Sequence, residues 1–356
     1  MNALAKIIVG MIAADGPLPL DRYMALCLGH PQYGYYMTRD PFGVAGDFTT
    51  APEITQVFGE LIGVWVAQVW QAMGEPRHFA LVELGPGRGT LMADVLRVLG
   101  KIEKCRKSVD VHFVETSPVL REAQATRVPQ ATWHHSTVSL PALPTILIAN
   151  EFFDALPIRQ FERRQGRTFE RVIGERAIGE RVIGAGLELG FVPSPYAIPL
   201  QGEGVFEDQA IRTAIAAQLG DHLNTIGGAA LIIDYGHFST AMGDTLQAMS
   251  RHAACAITDH PGEADLTSHV DFDALARAFN AGGARVSGLM TQGAFLNAMG
   301  LAERTEVLAR TVSGEARTQL VTATERLAHS GQMGHLFKVM AVTSAGLPPP
   351  YPFGAR

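Results

Sequence analysis

The sequence predicts an α/β protein with a mostly parallel sheet of seven strands, an N-terminal helical cap and inserted segments. Short apolar runs of strand length recur along the chain, and helical periodicity follows most of them. The first run, Phe79–Leu84, opens into glycines at alternate positions, Gly85, Gly87 and Gly89, and then directly into a helical pattern. A buried parallel strand that ends in a glycine turn is where an open α/β sheet binds its ligand.

The composition is that of a globular protein without a membrane span. The chain has 356 residues, of which 47% are hydrophobic and 18% charged, and it contains no apolar run of spanning length. Its net charge is −6 and its Lys and Arg residues are dispersed, which argues against nucleic acid and favours a cationic or protein substrate. Three separated cysteines and an amphipathic N-terminus without a signal or transit pattern predict a bacterial, cytoplasmic protein. The sequence leaves open whether the protein forms a homo-oligomer.

Residues 1–75 are predicted to form a helical cap with an aromatic lid loop. Two short helices, 2–14 and 19–29, precede a loop over 30–53 that is rich in aromatic residues, Gly and Pro. Thr50 and Glu53 fit a capping box for a helix that reaches about Met73. One face of that helix should be buried and comprises Val57, Leu61, Val64, Trp65 and Val69.

The main domain is predicted over residues 76–343, with a β-rich insert about 158–205, a loop insert about 240–271 and a Pro-rich, loosely ordered tail, 344–356. The further predicted strands are 109–115, Ala131–His135, 144–150, 229–235, 284–289 and 335–343. The further predicted helices are 207–224, 271–282 capped by Thr267-Ser268, 291–300 and 303–329. An imperfect five-residue repeat, ERVIG-ERAIG-ERVIG, lies in the β-rich insert and is too short to build a solenoid.

The spacing of the glycines indicates which ligand the turn binds. In a dinucleotide site the third glycine comes one residue later, where this chain has Thr90, and there is no P-loop motif. Glu83 lies two residues before the first glycine, and the next acidic strand end, Glu115, follows about 30 residues on. E-x-G-x-G-x-G with a distant acid is typical of class I S-adenosylmethionine-dependent methyltransferases. The carboxylate of Glu115 can accept hydrogen bonds from both ribose hydroxyls. A glycine connection without a ligand is the alternative.

Candidate catalytic residues follow the predicted strand 144–150. Asn150, Glu151, Phe152, Phe153 and Asp154 follow it, and in a doubly wound sheet this strand end lies beside the glycine turn. The methyl acceptor should therefore meet these side chains. A helix cap with a buried Phe pair is the alternative.

The polar segment 250–271 could suggest a metal site, but we expect none. Its candidate ligands match no known ligand spacing and are His260, Glu263, Asp265, His269 and Asp271. We expect an ordinary loop that forms one wall of the cleft.

The chain resembles the MidA-like methyltransferases over nearly its full length. Their mitochondrial members are complex I assembly factors that act as protein-arginine methyltransferases. The matching segments include GDFTTAPEITQVFGELIGVW, LVELGPGRGTLMADVLR, ANEFFDALPIRQF, IIDYG and GEADLTSHVDF. The resemblance implies a Rossmann-like class I methyltransferase fold, S-adenosylmethionine as cofactor and symmetric dimethylation of an arginine. The implied substrate is the quinone-site subunit of the complex I peripheral arm.

The resemblance also implies roles for particular residues. Glu151 and Asp154 would grip the guanidinium, and Asn150 would shape the opening beside them. The methionine end of the cofactor would lie on the glycine turn with Glu83, and the ribose on Glu115. The remaining implied cofactor contacts are Thr116, Ser117, Asn150 and the lid residues Gly46, Asp47, Phe48 and Thr49.

Three other functions remain open on the sequence. A non-catalytic assembly chaperone could bind the cofactor for structural reasons. An amino-methyltransferase could act on nucleic acid or glutamine, although NEFF lacks both prolines of the corresponding tetrad. A NAD-dependent enzyme is disfavoured by the glycine spacing.

Overall fold

The structure is a computed structural model that describes residues 1–39, 50–175 and 186–354. The helices in these residues are α1 (Ala3–Asp15), α2 (Leu20–Gly29), α3 (Tyr35–Thr38), α4 (Ala51–Ile54), α5 (Gln56–Ala72), α6 (Thr90–Leu99), α7 (Glu103–Ser108), α8 (Pro118–Arg127), α9 (Ala210–Ile226), α10 (Phe272–Ala281), α11 (Gln292–Ala298), α12 (Leu301–Ala309), α13 (Gly314–Ala328) and α14 (Met333–Leu336). The strands are β1 (Leu18–Pro19), β2 (Phe79–Leu84), β3 (Val109–Val114), β4 (Thr132–His134), β5 (Thr145–Asn150), β6 (Arg159–Arg164), β7 (Arg167–Glu175), β8 (Leu187–Pro193), β9 (Gly204–Asp208), β10 (Gly228–His237), β11 (Gln247–Ser250), β12 (Ala253–Cys255), β13 (Asp265–Thr267), β14 (Val270–Asp271), β15 (Arg285–Thr291) and β16 (Phe337–Thr343).

A central sheet of seven strands organises the fold. Its order is β4-β3-β2-β5-β10-β16-β15, and the two-residue β14 adds to the end of β10. The pairs from β4 to β10 are parallel, whereas β16 runs antiparallel to both of its neighbours. The predicted fold class, a mostly parallel class I methyltransferase sheet, is confirmed.

The strand order reverses beside β2. The chain leaves β2 through α6 toward β3 and β4, and then returns to the opposite side of β2 as β5. The carboxyl ends of β2 and β5 therefore diverge into separate loops, which opens a crevice between them. The glycine turn leaves β2 on one side of that crevice, and the segment from Asn150 to Asp154 leaves β5 on the other.

Each face of the sheet carries its own apolar core. One face packs against α5, α6 and the helices α11 to α13, with Trp65 and Trp70 of α5 almost fully buried. The other face packs against α9 and α10, with Leu219 and Phe279 at its centre. Because both faces are covered, strands such as β2 and β5 are buried at every position, which explains their continuous apolar sequences.

The N-terminal helices pack onto a second, antiparallel sheet. This sheet has the path β1-β7-β6-β9, with β8 paired to β7, so it occupies the segment for which we expect a β-rich insert. Leu4, Ile8 and Tyr23 share one core with Ile173 of β7 and Leu266 of β13. This packing holds α2 and α3 above the crevice. The division of the chain into a cap, a main domain and a tail stays a proposal.

Two predicted helix caps were wrong. Thr50 makes no side-chain cap, and the long helix α5 begins later, after Thr55, whose hydroxyl accepts a hydrogen bond from the Val57 amide. Glu53 instead accepts a hydrogen bond from the Thr90 hydroxyl, because tertiary packing brings α6 within its reach. Likewise Asp271, not Thr267-Ser268, caps α10 by accepting from the Ala274 amide.

Other expectations also differ from the structure. Val64 is 37% exposed, although its spacing placed it on the buried face of α5. The helix predicted over 303–329 is two helices, α12 and α13, with Ser313 at the start of the second. The described part of the tail is packed rather than loose, since Phe353 stacks on Phe295 and the Tyr351 hydroxyl donates to the Ala298 carbonyl. Part of the repeat, 176–185, lies outside the described residues.

Close approach of α5 to α6 depends on glycine, which gives a test of the packing. A Cβ at Gly59 would lie 2.5 Å from the Asp94 Cβ, whereas one at Gly10 of α1 would meet no atom within 4 Å. Gly59→Ala should destabilise the fold by about 1–3 kcal/mol through overpacking. Gly10→Ala should stabilise it by about 0.5–1 kcal/mol, because alanine loses less backbone entropy in a helix. Urea denaturation of both variants measures this, and equal effects would contradict the packing.

Candidate active site

The glycine turn has a backbone that ordinary residues rarely adopt. Gly85, Gly87 and Gly89 have φ values of 58°, 53° and 78°. A Cβ at Gly85 would also lie 3.1 Å from the Phe152 ring. The turn therefore needs glycine for conformation and, at Gly85, for space. Gly89 starts α6, so the positive end of that helix faces the crevice.

Two buried acceptor atoms beside the turn have no partner among the described residues. They are Oε2 of Glu83, which is 3% exposed, and Oδ1 of Asn150, at the ends of β2 and β5. Burial raises the pKa of Glu83 to about 8, and a hydrogen bond from the Met92 backbone opposes part of this rise. Both residues line a small hollow over the turn. Unpaired buried acceptors are costly, so the pair is suited to a ligand with N–H donors.

Glu115 is held rigidly at the end of β3. Its Oε1 accepts hydrogen bonds from the backbone amides of Thr116 and Ser117, each at 2.7 Å. Its Oε2 accepts from Gln124 Nε2 at 3.1 Å, and the same Nε2 donates to the Gly87 carbonyl at 2.7 Å. Burial raises the pKa of Glu115, and these hydrogen bonds oppose the rise. Gln124, fixed in turn by Trp133, thus couples the glycine turn to the second acidic strand end.

A cavity of about 370 Å³ occupies the crevice. Its walls come from the glycine turn, from the ends of β3, β5 and β10, from α2 and α3, and from β13. The polar or glycine residues among its lining are Gly29, Tyr36, Thr50, Gly85, Gly87, Glu115, Thr116, Glu151, Asp154, Tyr235, Asp265 and Thr267. Four of the lining side chains are carboxylic acids, and none of the described ones is Lys, Arg or His. The cavity is therefore acidic.

Glu151 lines both the cavity and the hollow over the glycine turn. Its φ is 52°, a left-handed conformation that costs a non-glycine residue free energy and is concentrated at functional sites. Its Oε1 accepts hydrogen bonds from the Ala51 amide and from Asn150 Nδ2, both at 3.1 Å. Burial, together with the charge of Asp154, raises the pKa of Glu151 to about 7. The side chain can thus change its ionisation near neutral pH.

Asp154 is 5% exposed and lies deeper in the cavity. Its Oδ1 has no partner among the described residues. Burial raises the pKa of Asp154, and a hydrogen bond with Tyr235 and the charge of Arg212 oppose the rise. The backbone amides of Phe153 and Asp154 donate to Asp234 Oδ2 at 3.0 and 3.2 Å. Asp234 follows the last residue of β10 that pairs with β5. Its carboxyl group therefore holds this turn through the backbone amides of the turn and not through the Asp154 side chain.

The opposite wall of the cavity joins the N-terminal cap to β13. The Tyr36 hydroxyl donates to the carboxylate of Asp265, at 2.9 and 3.0 Å from its two oxygens. The Tyr36 carbonyl accepts from the Ser117 hydroxyl at 2.6 Å, which ties α3 to the start of α8. Strand β13, which contains Asp265 and Thr267, thus forms a wall of the cleft. The segment 250–271 is not the ordinary loop that was expected, because β12 and β14 also lie in it.

The structure brings most of the predicted site residues together. Eight of them line the cavity or the hollow: Glu83, Gly85, Gly87, Glu115, Thr116, Asn150, Glu151 and Asp154. Gly89 and Ser117 are the N-cap residues of α6 and α8, next to the site but outside the lining of the cavity and the hollow. Gly46, Asp47, Phe48 and Thr49 lie outside the described residues. No group of three or more metal-ligating side chains occurs in the described part of the chain.

Sequence reasoning missed several residues of the site. Gln124, Arg212 and Asp234 have no motif spacing, and each contacts segments far from it in sequence. Tyr36 and Asp265 were noticed only as part of an aromatic loop and of a disfavoured metal cluster. A polar residue inside an otherwise apolar run, as Asp234 is at the end of β10, was the available signal.

The strand order and the glycine turn together define a class I S-adenosylmethionine-dependent methyltransferase. A family profile described as "Putative S-adenosyl-L-methionine-dependent methyltransferase" matches residues 61–290. The chain belongs to this MidA-like family of S-adenosylmethionine-dependent methyltransferases. The predictions of family and cofactor are confirmed.

Relatives and solved structures agree with this assignment. A Drosophila melanogaster protein named "Protein arginine methyltransferase NDUFAF7 homolog, mitochondrial" is 36% identical, covering 96% of this chain and 85% of the relative. The Homo sapiens "Protein arginine methyltransferase NDUFAF7, mitochondrial" is 34% identical, covering 93% and 81%. A Burkholderia thailandensis crystal structure with bound S-adenosyl-homocysteine is 25% identical, with a TM-score of 0.83 over 99% of this chain and 95% of that one.

The described residues fit the cofactor. Its methionine end carries an ammonium group, which offers the N–H donors that Glu83 Oε2 and Asn150 Oδ1 lack. Gly85 and Gly87 line the cavity without a side chain that would oppose the ligand, and the constrained carboxylate of Glu115 suits the ribose hydroxyls. We propose these residues as the cofactor site.

No helix in the described residues combines the length and apolarity that a membrane crossing requires.

A bulky side chain in the glycine turn should prevent cofactor binding. Gly87→Val puts a branched side chain at a φ of 53° in the wall of the cavity, so we expect no measurable S-adenosyl-homocysteine binding by calorimetry. Gly166→Val is the matched control, since Gly166 has a φ of 71° at a hairpin tip where nothing lies within 4 Å. Unchanged binding by Gly87→Val, with the control also unchanged, would refute this site.

Glu83 should make stability depend on pH. Its pKa of about 8 in the folded protein exceeds the ordinary 4.5, so its contribution to stability is complete below about pH 4.5 and is lost as the pH rises through about 8. The unfolding free energy of Glu83→Gln minus that of wild type should therefore increase by roughly 3 kcal/mol from pH 5 to pH 8.

Urea denaturation without cofactor measures this difference. Glu122→Gln, at an exposed position of α8, is the control, and its difference from wild type should stay flat with pH. A flat or falling difference for Glu83→Gln would contradict the buried, protonated carboxyl.

Proposed function

We propose that this protein is a protein-arginine N-methyltransferase that forms symmetric dimethylarginine on a subunit of respiratory complex I and so supports its assembly. The observation that carries the proposal is the acidic cavity beside the glycine turn. The names of the relatives support arginine as the acceptor residue. The complex I substrate and the bacterial cytoplasmic location come from the family resemblance and from the sequence, and both belong to the proposal.

The charge of the cavity supports a cationic acceptor. Four carboxylic acids line it, no described lining residue is basic, and three of the acids, Glu115, Glu151 and Asp154, have raised pKa values. A guanidinium is planar, permanently charged and rich in N–H donors, so it pairs well with two carboxylates. It would also supply the donor that Asp154 Oδ1 lacks. An acidic acceptor, such as a nucleic-acid phosphate, would be repelled here.

The proposed roles follow from position. Glu151, which lines both the hollow over the glycine turn and the cavity, lies where the methyl donor and the acceptor would meet. Asp154 lies deeper and would localise the remaining positive charge of the guanidinium. Phe152, stacked edge-on against Phe153, and Asn150 would shape the opening.

The bound cofactor supplies an activated methyl group on a sulfonium. The attacking guanidinium nitrogen forms a bond to that methyl group while the methyl–sulfur bond breaks, and the nitrogen then loses a proton. With a pKa near 7, the Glu151 carboxylate is suited to orient the nitrogen and to accept this proton. In-line positioning by the two carboxylates should supply most of the rate enhancement.

Glu151→Gln tests the proposal most directly. We would incubate lysate from a strain lacking this protein with methyl-labelled S-adenosylmethionine and purified enzyme, then hydrolyse the labelled band and identify the modified residue. Wild type should produce dimethylarginine. Glu151→Gln should bind S-adenosyl-homocysteine within about 3-fold of wild type and lose activity by roughly 100-fold or more, because misplacing the reacting group is that costly.

The control is Glu103→Gln, on the exposed side of α7, which should keep full activity. Intact turnover by Glu151→Gln would refute its role. Label in RNA, DNA or glutamine would refute arginine as acceptor. Absence of label with cofactor binding retained would favour an assembly chaperone over an enzyme.

A further inference from the structure

We infer that Arg212 is the positioning residue of this site: it fixes the turn that carries Asp154 against the loop that forms the opposite wall of the cavity. The inference rests on the proposed role of Asp154 in binding the acceptor. Arg212 lies in the first turn of α9 and its side chain is fully buried, so it does not touch the cavity itself.

The hydrogen bonds of Arg212 join two segments that are distant in sequence. On one side, Nη2 donates to the carbonyls of Asp154 and Leu156 at 2.8 and 2.9 Å. On the other side, Nη1 donates to the His269 carbonyl at 2.9 Å and Nη2 to the Ser268 hydroxyl at 2.7 Å. Both segments border the cavity, through Asp154 and Leu156 on one side and Asp265 and Thr267 on the other. One side chain therefore sets the distance between two walls.

The chemistry of the guanidinium explains why an arginine is needed. Two loops that turn several carbonyls into a dry interior need donors, and the planar fork supplies five N–H groups in a fixed geometry. All of the hydrogen-bond acceptors recorded for Arg212 are carbonyl groups and one hydroxyl group. None of these hydrogen bonds goes to a carboxylate of the site. Lysine, with a single charged nitrogen, could satisfy only part of this set.

Asp234 completes the arrangement from the other side of the same turn. It accepts from the amides of Phe153 and Asp154, while Arg212 donates to the carbonyls of Asp154 and Leu156. The turn thus lies between the buried carboxyl group of Asp234 and the buried guanidinium of Arg212, and both act through its peptide groups. The side chain of Asp154 faces the cavity.

The positive charge of Arg212 also acts on the ionisation of Asp154. Burial lowers the pKa of Arg212, and the neighbouring carboxylates Asp154 and Asp234 oppose that fall. In return, its charge lowers the otherwise raised pKa of Asp154. The titratable or charged groups around Asp154 are Glu151, Asp234, Arg212, Tyr235 and Tyr36. Arg212 is the one cation among these groups in the described part of the chain, so without it Asp154 should stay protonated to higher pH.

The test compares Arg212→Met and Arg212→Lys with wild type and with Arg163→Met. Arg163 is the matched control because it also donates only to carbonyls, those of Ile198, Leu200 and Gly202, in the β-rich insert. Three measurements are made on each full-length protein. They are calorimetric binding of S-adenosyl-homocysteine, amide hydrogen exchange of the protein with S-adenosyl-homocysteine bound, and label transfer to lysate protein as a function of pH.

For Arg212→Met we expect cofactor binding within about 3-fold of wild type and faster hydrogen exchange confined to residues 152–157 and 266–271. Label transfer should fall by roughly 100-fold. The acidic limb of its pH profile should move to higher pH, because Asp154 loses its cation. Arg212→Lys should recover part of the rate and of the pH profile, and Arg163→Met should match wild type in all three measurements.

Unchanged exchange at 152–157, or label transfer within about 3-fold of wild type, would overturn the inference. Exchange that rises throughout the sheet together with loss of cofactor binding would also overturn it, since Arg212 would then be a general stability residue. Failure of the proposed function is distinguishable, because wild type itself would then yield no dimethylarginine. The hydrogen-exchange measurement needs no methyl acceptor. It therefore tests whether Arg212 holds the two walls of the cavity even in that case.

Discussion

The structure depends on holding many carboxylates at one edge of a parallel sheet. Glu83, Glu115, Glu151, Asp154 and Asp234 all lie at or just beyond the carboxyl ends of β2, β3, β5 and β10. Burial raises the pKa of each, so each gains from a cationic neighbour. The cofactor carries a sulfonium and an ammonium, and the proposed acceptor is a guanidinium. The site is therefore complementary in charge to both of its reactants.

Hydrogen bonds from main-chain amides stabilise several of these closely spaced carboxylates. Glu115 and Asp234 each accept hydrogen bonds from at least two main-chain amides, which lets them orient neighbouring loops. Asp154 keeps Oδ1 without a partner among the described residues, and both hydrogen bonds recorded for Glu151 go to its Oε1. These are the two acids proposed to meet the acceptor. Structural and reactive carboxylates thus differ in how many of their lone pairs the protein already uses.

The cavity also depends on segments far from the glycine turn. The N-terminal cap contributes Tyr36, strand β13 contributes Asp265, and α9 contributes Arg212. The cap is itself held by packing against the antiparallel sheet, as Tyr23 and Ile173 show. The inserted segments therefore complete a site that the central sheet alone would leave open on one side.

The amino-acid sequence alone predicted the sheet, the glycine turn, the cofactor and most of the residues proposed to contact it. These rest on local signals: an apolar strand, glycines where φ must be positive, and an acid at a strand end. The hydrogen bond of Glu53 to Thr90, the Asp271 cap of α10 and the supporting roles of Gln124, Arg212 and Asp234 became visible only in the folded chain. Apart from the local Asp271 cap, these contacts join residues 37 to 81 positions apart, so no periodicity or spacing records them. Local preference fixes where a strand or turn forms, whereas the partner of a buried polar group is fixed only when packing removes water from it.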